Sequence, residues 1–185
     1  MTTLVLSPPL SNGQASRKLS NDDVTYTWSS CFVGAIIVGA FDVPWRCGGC
    51  LLFTNVTIPK NSTINSASFA TTNLGKQGSP KSYIRIVNQD NPAMATDLTS
   101  YDALLASCGS TITCDTLIDA TTSPDLSSIL QPIFNRSGWA SGNGLILFWD
   151  DHDDRSSHSA NGGNNYWYVS DAGGNENVTL TINYT

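Results

Sequence analysis

The segment Val178-Thr-Leu-Thr-Ile-Asn-Tyr184 alternates apolar and polar side chains along its length. Successive side chains of a β-strand point to opposite faces of a sheet, so this pattern predicts a strand that buries one face. The same alternation, or a run of β-branched residues, recurs through the chain. The other predicted strands are Thr3–Leu6, Val24–Trp28, Phe32–Val38, Cys50–Thr54, Thr63–Thr71, Ser82–Val87, Thr111–Leu117, Gly144–Asp150 and Tyr166–Ser170.

Turn-forming clusters separate these strands, namely Ser-Asn-Gly at 11–13, Gly-Lys-Gln-Gly-Ser-Pro at 75–80 and Asn-Gly-Gly-Asn-Asn at 161–165. Many short strands with such punctuation are typical of a sandwich or barrel. A chain of 185 residues fits one domain with one core. We therefore predict an all-β domain, an antiparallel two-sheet sandwich.

Two short helices are predicted between the strands. In Ser123–Phe134, Ser123 suits the N-cap and Pro124 the first helical position, and the apolar residues then follow helical spacing. Pro132 is expected to end or kink this helix. The second predicted helix is Ser100–Ala106, with Thr99 and Asp102 as capping candidates.

The composition excludes some partners. Charged residues make up 13% of the chain, about half of the usual ~25%. The net charge is −6, and the nine basic residues are scattered, so we expect binding neither to nucleic acid nor to an anionic membrane surface. No apolar run approaches the ~20 residues of a membrane span, and no signal peptide is visible. We therefore expect a protein made in and left in a cytoplasm.

Five cysteines cannot all pair within one chain. Cys47-Gly-Gly-Cys50 has metal-ligand spacing, but it lacks a second tight pair of ligands nearby. Three states remain open: buried thiols, a Cys108–Cys114 disulfide and a structural zinc site. Buried thiols are favoured.

The densest polar cluster follows the apolar run Leu145–Trp149. Asp150, Asp151, Asp153 and Asp154 are closely spaced oxygen ligands, a pattern that suits calcium, although the spacing does not fit an EF-hand. The alternative is a solvated acidic loop. His152 and His158 flank the same loop, and because no motif fixes a catalytic geometry around them, we expect surface histidines.

Tyr166 and Tyr168 are candidate ligand-binding residues. Alternation along a strand places both on one face, where aromatic rings can stack on a sugar. The alternative is a role in packing or subunit contact. The tryptophans outside this strand, namely Trp28, Trp45, Trp139 and Trp149, are expected to fill the core.

Several segments together resemble a β-sandwich module of tailed-bacteriophage virion proteins and bacterial surface proteins. Residues 53–67 match its F-T-N-V-T-I-P-x-G-A-T-I-x-S-A segment, with Asn61 in place of Gly. The stretch from Pro124 to Asn143 is the most specific match, to P-D-L-S-S-I-I-Q-E-I-V-N-R-P-G-W-x-x-G-N, with Pro132 in place of Glu. Shorter matches lie at Asn21–Asp23, Asp90–Ala93, Phe148–Asp151 and Leu180–Tyr184.

This resemblance implies a jelly-roll-like sandwich over residues 21–185, without catalytic residues and with a surface or binding role. Residues 1–20 then form an extended N-terminal arm that contains Pro8 and Pro9. Because a virion protein needs no export signal, the virion is favoured over the bacterial surface as the home of this chain.

The expected function is therefore that of a non-enzymatic structural protein on a tailed-phage virion surface, assembled in the host cytoplasm. A capsid decoration (cement) protein or another accessory fits, with major capsid or tail proteins as partners and a homotrimer favoured by shell symmetry. The alternative is a carbohydrate-binding or host-adhesion module that recognises a host-surface glycan. An enzyme such as a glycosidase would need two carboxyls across a cleft, and spacing in sequence cannot place them.

Overall fold

The computed structural model contains two antiparallel sheets and two short helices, which confirms the predicted all-β sandwich. The structure describes residues 1–8, 15–20, 26–31, 37–41, 45–71, 74–116, 121–153, 155–156, 165–169 and 178–185.

The elements alternate short strands with two helical insertions. The strands are β1 (Thr2–Leu6), β2 (Ala15–Ser20), β3 (Tyr26–Cys31), β4 (Ile37–Phe41), β5 (Trp45–Phe53), β6 (Ile64–Thr71), β7 (Leu74–Gln77), β8 (Tyr83–Val87), β9 (Cys108–Thr113), β10 (Leu145–Asp150), β11 (Asn165–Val169) and β12 (Val178–Tyr184). The helices are α1 (Leu98–Ala106) and α2 (Ser127–Phe134).

The smaller sheet has three strands in the order β1-β12-β6. Strand β12 lies in the middle and pairs antiparallel with both neighbours. Its apolar residues Val178, Leu180 and Ile182 are fully buried, as the alternation predicts. The strand that was easiest to predict is thus the centre of this sheet.

The larger sheet is organised around the nine-residue strand β5. Its main path runs β7-β11-β4-β5-β10-β8-β9, and β2 and β3 branch from β5. Residues 46–47 of β5 pair with both β2 and β4, and residues 48–51 pair with both β2 and β10. Because a strand has two edges, β2 lies along one edge of β5, while β4 and β10 follow one another along the other.

The core lies between the sheets, and a second apolar cluster lies beneath α1. Strand β10 is buried on both faces: Leu147 and Trp149 pack in the main core, and Ile146 and Phe148 pack in the cluster around Tyr101. This explains its continuous apolar run. The expectation of core tryptophans is confirmed for Trp149 and also for Trp139, which is 3% exposed. The side chains of Trp28 and Trp45 lie outside the described residues.

Helix α2 begins three residues later than predicted, and Ser123 does not cap it. Its N-cap is Leu126, which has no side-chain cap. The hydroxyl of Ser123 instead accepts a hydrogen bond from Phe69 N (3.0 Å), and Asp125 Oδ1 accepts one from Ala67 N (2.8 Å). Ser123 thus serves strand β6, whereas Asp125 serves both β6 and the start of the helix, because its Oδ1 also accepts a hydrogen bond from Ser127 N (3.2 Å). The helix continues for two residues past Pro132 before it ends.

The segment before α2 covers the outer edge of β6. Leu126 N donates to Ala67 O (2.8 Å), Ser123 N donates to Phe69 O (2.8 Å), and Thr71 N donates to Thr121 O (3.1 Å). Together with the two side-chain bonds above, these contacts satisfy alternate backbone groups along the strand, as a neighbouring strand would.

Helix α1 is capped by Asp97 rather than by Thr99 or Asp102. Asp97 Oδ1 accepts a hydrogen bond from Ser100 N (2.8 Å), and Ser100 Oγ accepts one from Asp97 N (3.1 Å), which forms a capping box. The hydrogen bond from Ser100 N lowers the pKa of Asp97. Helix α1 therefore begins at Leu98.

Two strands were not predicted, and both are explained by pairing with distant segments. Strand β7 lies in a stretch whose Gly-Lys-Gln composition predicts a turn, yet it pairs with β11. Strand β2 lies in the predicted N-terminal arm and pairs with β3 and β5. Strand β1, also in that arm, pairs with β12. Strands β1 and β2, which both lie within residues 1–20, thus belong to the two sheets.

Strand β9 begins three residues before its predicted range of Thr111–Leu117 and ends within that range, and Leu117 lies outside the described residues. Strands β3 and β4 overlap their predicted ranges only partly. Within the described residues, neither helix has the length and hydropathy needed to cross a membrane.

Replacing Ile129 by Asp should unfold the domain, because Ile129 is 4% exposed in the main core and an unpaired buried charge is costly. The loss in free energy of unfolding should exceed about 4 kcal/mol. The matched control is Ser128→Asp, one position along on the exposed side of α2, which should change it by less than about 0.5 kcal/mol. Chemical denaturation measures both. An Ile129→Asp protein with wild-type stability would contradict this placement of α2.

Candidate functional site

The acidic loop after β10 brings several charged residues together, including Asp150, Asp153 and Arg85. Asp150 ends the strand, and Arg155 and Ser156 contact the segment before β8 and the segment after β9. Asp150 and Asp151 are both fully buried. The expectation of a solvated loop is therefore wrong for these two carboxylates.

Asp150 forms an ion pair with Arg85 of the neighbouring strand. Arg85 Nε lies 3.1 Å from Asp150 Oδ2, and Arg85 Nη2 lies 3.2 Å from Asp150 Oδ1. The register pairs Arg85 with Phe148, so the pleat places Arg85 and Asp150 diagonally on one face. Arg85 also contacts the half-exposed carboxylate of Asp153.

Burial raises the pKa of Asp150 to about 6, although the charge of Arg85 lowers it. For Arg85, burial lowers the pKa, but the charges and hydrogen bonds of Asp150 and Asp153 together outweigh this, and the net pKa is raised. A raised pKa favours the neutral form of Asp150, whereas a raised pKa favours the charged form of Arg85. We take the pair as ionised at neutral pH, since Arg85 keeps its proton and the pKa of Asp150 lies below 7.

Asp151 holds the shape of the loop. Its Oδ1 accepts a hydrogen bond from Arg155 N (2.9 Å), and its Oδ2 accepts one from Ser156 N (3.1 Å). Ser156 Oγ in turn donates to Lys81 O (3.0 Å). A carboxylate that accepts backbone N–H groups in this way closes a turn.

A second ion pair fastens the loop to the segment after β9. Arg155 makes a two-pronged contact with Asp115, with Nη2 2.7 Å from Oδ2, and its Nη1 donates to Ser82 O (2.8 Å). The ring of Tyr83 lies between two guanidiniums, 4.4 Å from that of Arg155 and 5.1 Å from that of Arg85. Such stacking is favourable for both cations.

His152 is not the exposed surface histidine that the sequence suggests. It is half-buried, and its Nε2 lies 3.2 Å from the hydroxyl of the fully buried Tyr101. Gly48 is required beside it, since an added Cβ would lie 2.8 Å from His152 Nε2 and 2.5 Å from Asp150 Cβ. His158 lies outside the described residues.

The predicted calcium ligands are brought to one loop, but most already have other partners. Asp150 binds Arg85, and Asp151 binds backbone N–H groups. Asp153 alone is exposed among the predicted ligands that the structure describes, and Asp154 lies outside them. In the described part of the chain, no group of three His, Cys, Asp or Glu side chains is arranged to hold a metal ion.

The cysteines whose side chains the structure describes are thiols rather than disulfides, which agrees with the favoured state. Cys47, Cys50 and Cys114 are buried, and Cys108 is partly buried. Burial raises the pKa of both Cys108 and Cys114 to about 12, so neither is a reactive thiolate.

The two candidate tyrosines lie on β11, between β7 and β4. Trp167 between them is 4% exposed and packs toward Trp149, so alternation directs Tyr166 to the opposite face. Tyr166 is half-buried, and the side chain of Tyr168 lies outside the description. Gly39 of β4 lies against this strand with a φ of 126°, and a Cβ there would lie 2.3 Å from Asn165 O.

The segments quoted for their resemblance meet in the structure. Trp139 Nε1 donates to Ile58 O (3.0 Å), Val56 N donates to Asn143 O (2.9 Å), and Gly142 N donates to Val56 O (2.9 Å). The connection between β5 and β6 is thus held by the loop after α2. All five residues have structural tasks.

Further residues of the matched segments also have structural roles. Arg136 Nε donates to Asp90 Oδ1 (2.8 Å), and a Cβ at Gly138 would lie 2.4 Å from Asp90 Oδ2, so a larger residue there would displace the Asp90 side chain. Asn61, which replaces a Gly of the pattern, has a φ of 62°, a conformation that Asn tolerates better than most residues. Gln131 Oε1 accepts a hydrogen bond from Ile64 N (2.8 Å).

Sequence reasoning missed Arg85, Arg155, Tyr83 and Tyr101 as partners of the loop. One signal was present: Tyr83 and Arg85 alternate with Ile84 and Ile86, so a positive charge lies on a strand in an otherwise sparsely charged chain. Nothing in the sequence marks Arg85 as the partner of Asp150, 65 residues away.

A small cleft lies between α2 and the paired strands β8 and β9, lined by Ile86, Ser110, Ile129 and Pro132 among others. Its volume is about 130 Å³. Pockets for small molecules usually span roughly 300–1,000 Å³. The cleft therefore does not carry a ligand assignment.

No protein-family model matches this chain, and no curated protein matches it.

Replacing Asp150 by Asn tests the buried carboxylate through its pH dependence. The folded pKa of about 6 lies above the usual 3.8, so the group favours folding below about pH 3.8 and loses this contribution as the pH rises through about 6. The free energy of unfolding of Asp150→Asn, relative to that of wild type, should therefore increase across this window by about 3 kcal/mol at most. Above the window the difference should stay constant. Denaturation midpoints at several pH values measure the difference.

The control for this experiment is Asp97→Asn. The pKa of Asp97 is lowered, so this carboxyl is fully ionised in the upper half of the pH window. The difference in stability between Asp97→Asn and wild type should therefore be constant there. A flat difference for Asp150→Asn as well would contradict a buried carboxylate with a raised pKa.

Proposed function

We propose that the chain is a non-enzymatic structural protein of a tailed-bacteriophage virion, a capsid decoration protein or another surface-displayed accessory. The observation that carries the proposal is the meeting of the segments that resemble the phage module. Residues 53–67 and the stretch around Trp139 are far apart in sequence, yet they hold each other by paired backbone and side-chain hydrogen bonds. A chance likeness in separate segments would not require such mutual contacts.

The state of the cysteines supports the virion over an exported surface protein. Cys47, Cys50, Cys108 and Cys114 are thiols, and burial raises the pKa of Cys108 and Cys114. Exported proteins commonly use cysteines in disulfides, whereas proteins that fold in a reducing cytoplasm keep thiols. Virions of tailed phages assemble in that compartment.

The carboxylates with structural partners support a non-enzymatic role. Asp90, Asp115 and Asp150 each bind an arginine, while Asp125 and Asp151 accept backbone N–H groups. A glycosidase needs two carboxyls that face one cleft and remain available to substrate. The proposed partners are instead major capsid or tail proteins, together with further copies of the chain.

The virion proposal is tested in the phage that encodes the chain. Particles purified on a density gradient should contain the chain at many copies per particle, detected by quantitative mass spectrometry. Recombinant chain should also rebind to particles that have been stripped of it, and the folded Ser128→Asp variant should rebind like wild type. Recovery only in the soluble lysate or the host envelope would contradict the proposal.

A second candidate function is glycan binding on the face of β11 that carries Tyr166. The burial of Trp167 favours it, because alternation then turns Tyr166 away from the core. An aromatic side chain on the surface of a sheet can stack on a sugar ring.

Under this alternative, Tyr166→Ala should weaken binding to host-wall glycan about tenfold, equivalent to about 1.4 kcal/mol. Tyr166→Phe keeps the ring and should retain most of the affinity. Isothermal titration with purified wall polysaccharide measures both. Equal affinities for wild type and Tyr166→Ala would remove this face from consideration.

A further inference from the structure

The two outer edges of the three-stranded sheet are treated differently. The edge of β6 is covered, since Ala67 N and Phe69 N donate to Asp125 and Ser123, and Thr71 N donates to Thr121 O. At the opposite edge, β1 pairs with β12 on one side only, and no strand among the described residues pairs with its other side.

Strand β1 lacks the features that usually protect an open edge. Natural edge strands carry Lys, Pro or a bulge that discourages further pairing. Strand β1 reads Thr-Thr-Leu-Val-Leu, with no charge and no proline. Val5 is 59% exposed and Met1 is 87% exposed, and these are the exposed large hydrophobic side chains of the described residues.

The whole sheet is free of charged side chains. None of β1, β6 and β12 contains Asp, Glu, Lys or Arg, although the chain carries a net charge of −6. The outer face bears a hydrogen-bonded row of Thr3, Asn183 and Ser66. A second copy carries the same net negative charge, so an uncharged surface is where two copies approach with least repulsion. A strongly charged partner would gain nothing there.

We infer that β1 pairs antiparallel with β1 of a second copy, which joins two three-stranded sheets into one six-stranded sheet. The inference does not depend on the virion proposal.

The sequence of β1 suits such self-pairing. With Leu4 opposite its counterpart, Thr3 lies opposite Val5 of the second copy on the outer face, and Thr2 lies opposite Leu6 on the inner face. Leu4 and Leu6 already face the core, so the register keeps apolar residues on one side of the joined sheet. The Thr3–Val5 pairs cover the exposed valine on both copies.

This contact has two-fold symmetry, because each copy uses the same patch. It gives a dimer instead of the homotrimer that shell symmetry favours. The trimer is expected from the symmetry of the shell alone, whereas the open edge of β1 belongs to the chain itself. We therefore infer the dimer.

The test is the molar mass of the full chain, measured by sedimentation over a wide range of concentration. Wild type should reach twice the 19.8 kDa of one chain. Val5→Lys places a charge on the exposed part of the edge and should raise the dissociation constant of the dimer at least tenfold. Thr3→Lys, at the other exposed position of the pair, should do the same.

The matched control is Asn65→Lys, which adds the same charge at an exposed position of β6, on the covered edge. It should leave the dimer intact. A wild-type protein that stays monomeric or forms a trimer would overturn the inference. A dimer that both β1 variants leave unchanged, while they keep wild-type melting temperatures, would overturn it as well.

Discussion

Each sheet edge leaves a row of backbone N–H and C=O groups that need partners, and this requirement organises the chain. Strand β5 meets it by pairing along both edges, with β2 on one side and with β4 and then β10 on the other. Strand β6 meets it without another strand, because the segment before α2 supplies Ser123, Asp125 and backbone groups. That segment also fixes where α2 begins. The loop after α2 in turn holds the β5–β6 connection through Trp139.

The buried charges obey a related requirement, since a charge taken out of water needs a partner. Asp150 lies at the end of a strand that is buried on both faces, so its charge needs a partner. Arg85 on the adjacent strand is close enough to pair with it. Asp115 pairs with Arg155 and draws the loop against β8. In sequence, the acidic residues of this loop resemble a ligand site, but in the structure ion pairs link the loop to neighbouring strands and segments.

Local patterns predicted the strands well, because alternation and apolar runs depend only on near neighbours. Strand β12 was predicted with its observed bounds, and β10 within one residue. Patterns failed where a side chain serves a distant group. Ser123 has the features of a helix cap, but its partner is Phe69, 54 residues away. Leu74–Gln77 has the composition of a turn, but pairing with β11 makes it a strand. The placement of Tyr166 and Trp167 on opposite faces could be predicted from alternation, whereas the burial of Asp150 could not.

The contrast between the two edges of the small sheet is the central claim, and hydrogen exchange of the backbone amides tests it most directly. Exchange is followed by mass spectrometry on peptides that contain β1 or β6, at low and at high protein concentration. The β6 peptide should be protected at both concentrations, because its edge is covered within the chain. The β1 peptide should gain protection only at high concentration, as second copies pair with it. Rapid exchange in β6, or protection of β1 that does not change with concentration, would contradict the account.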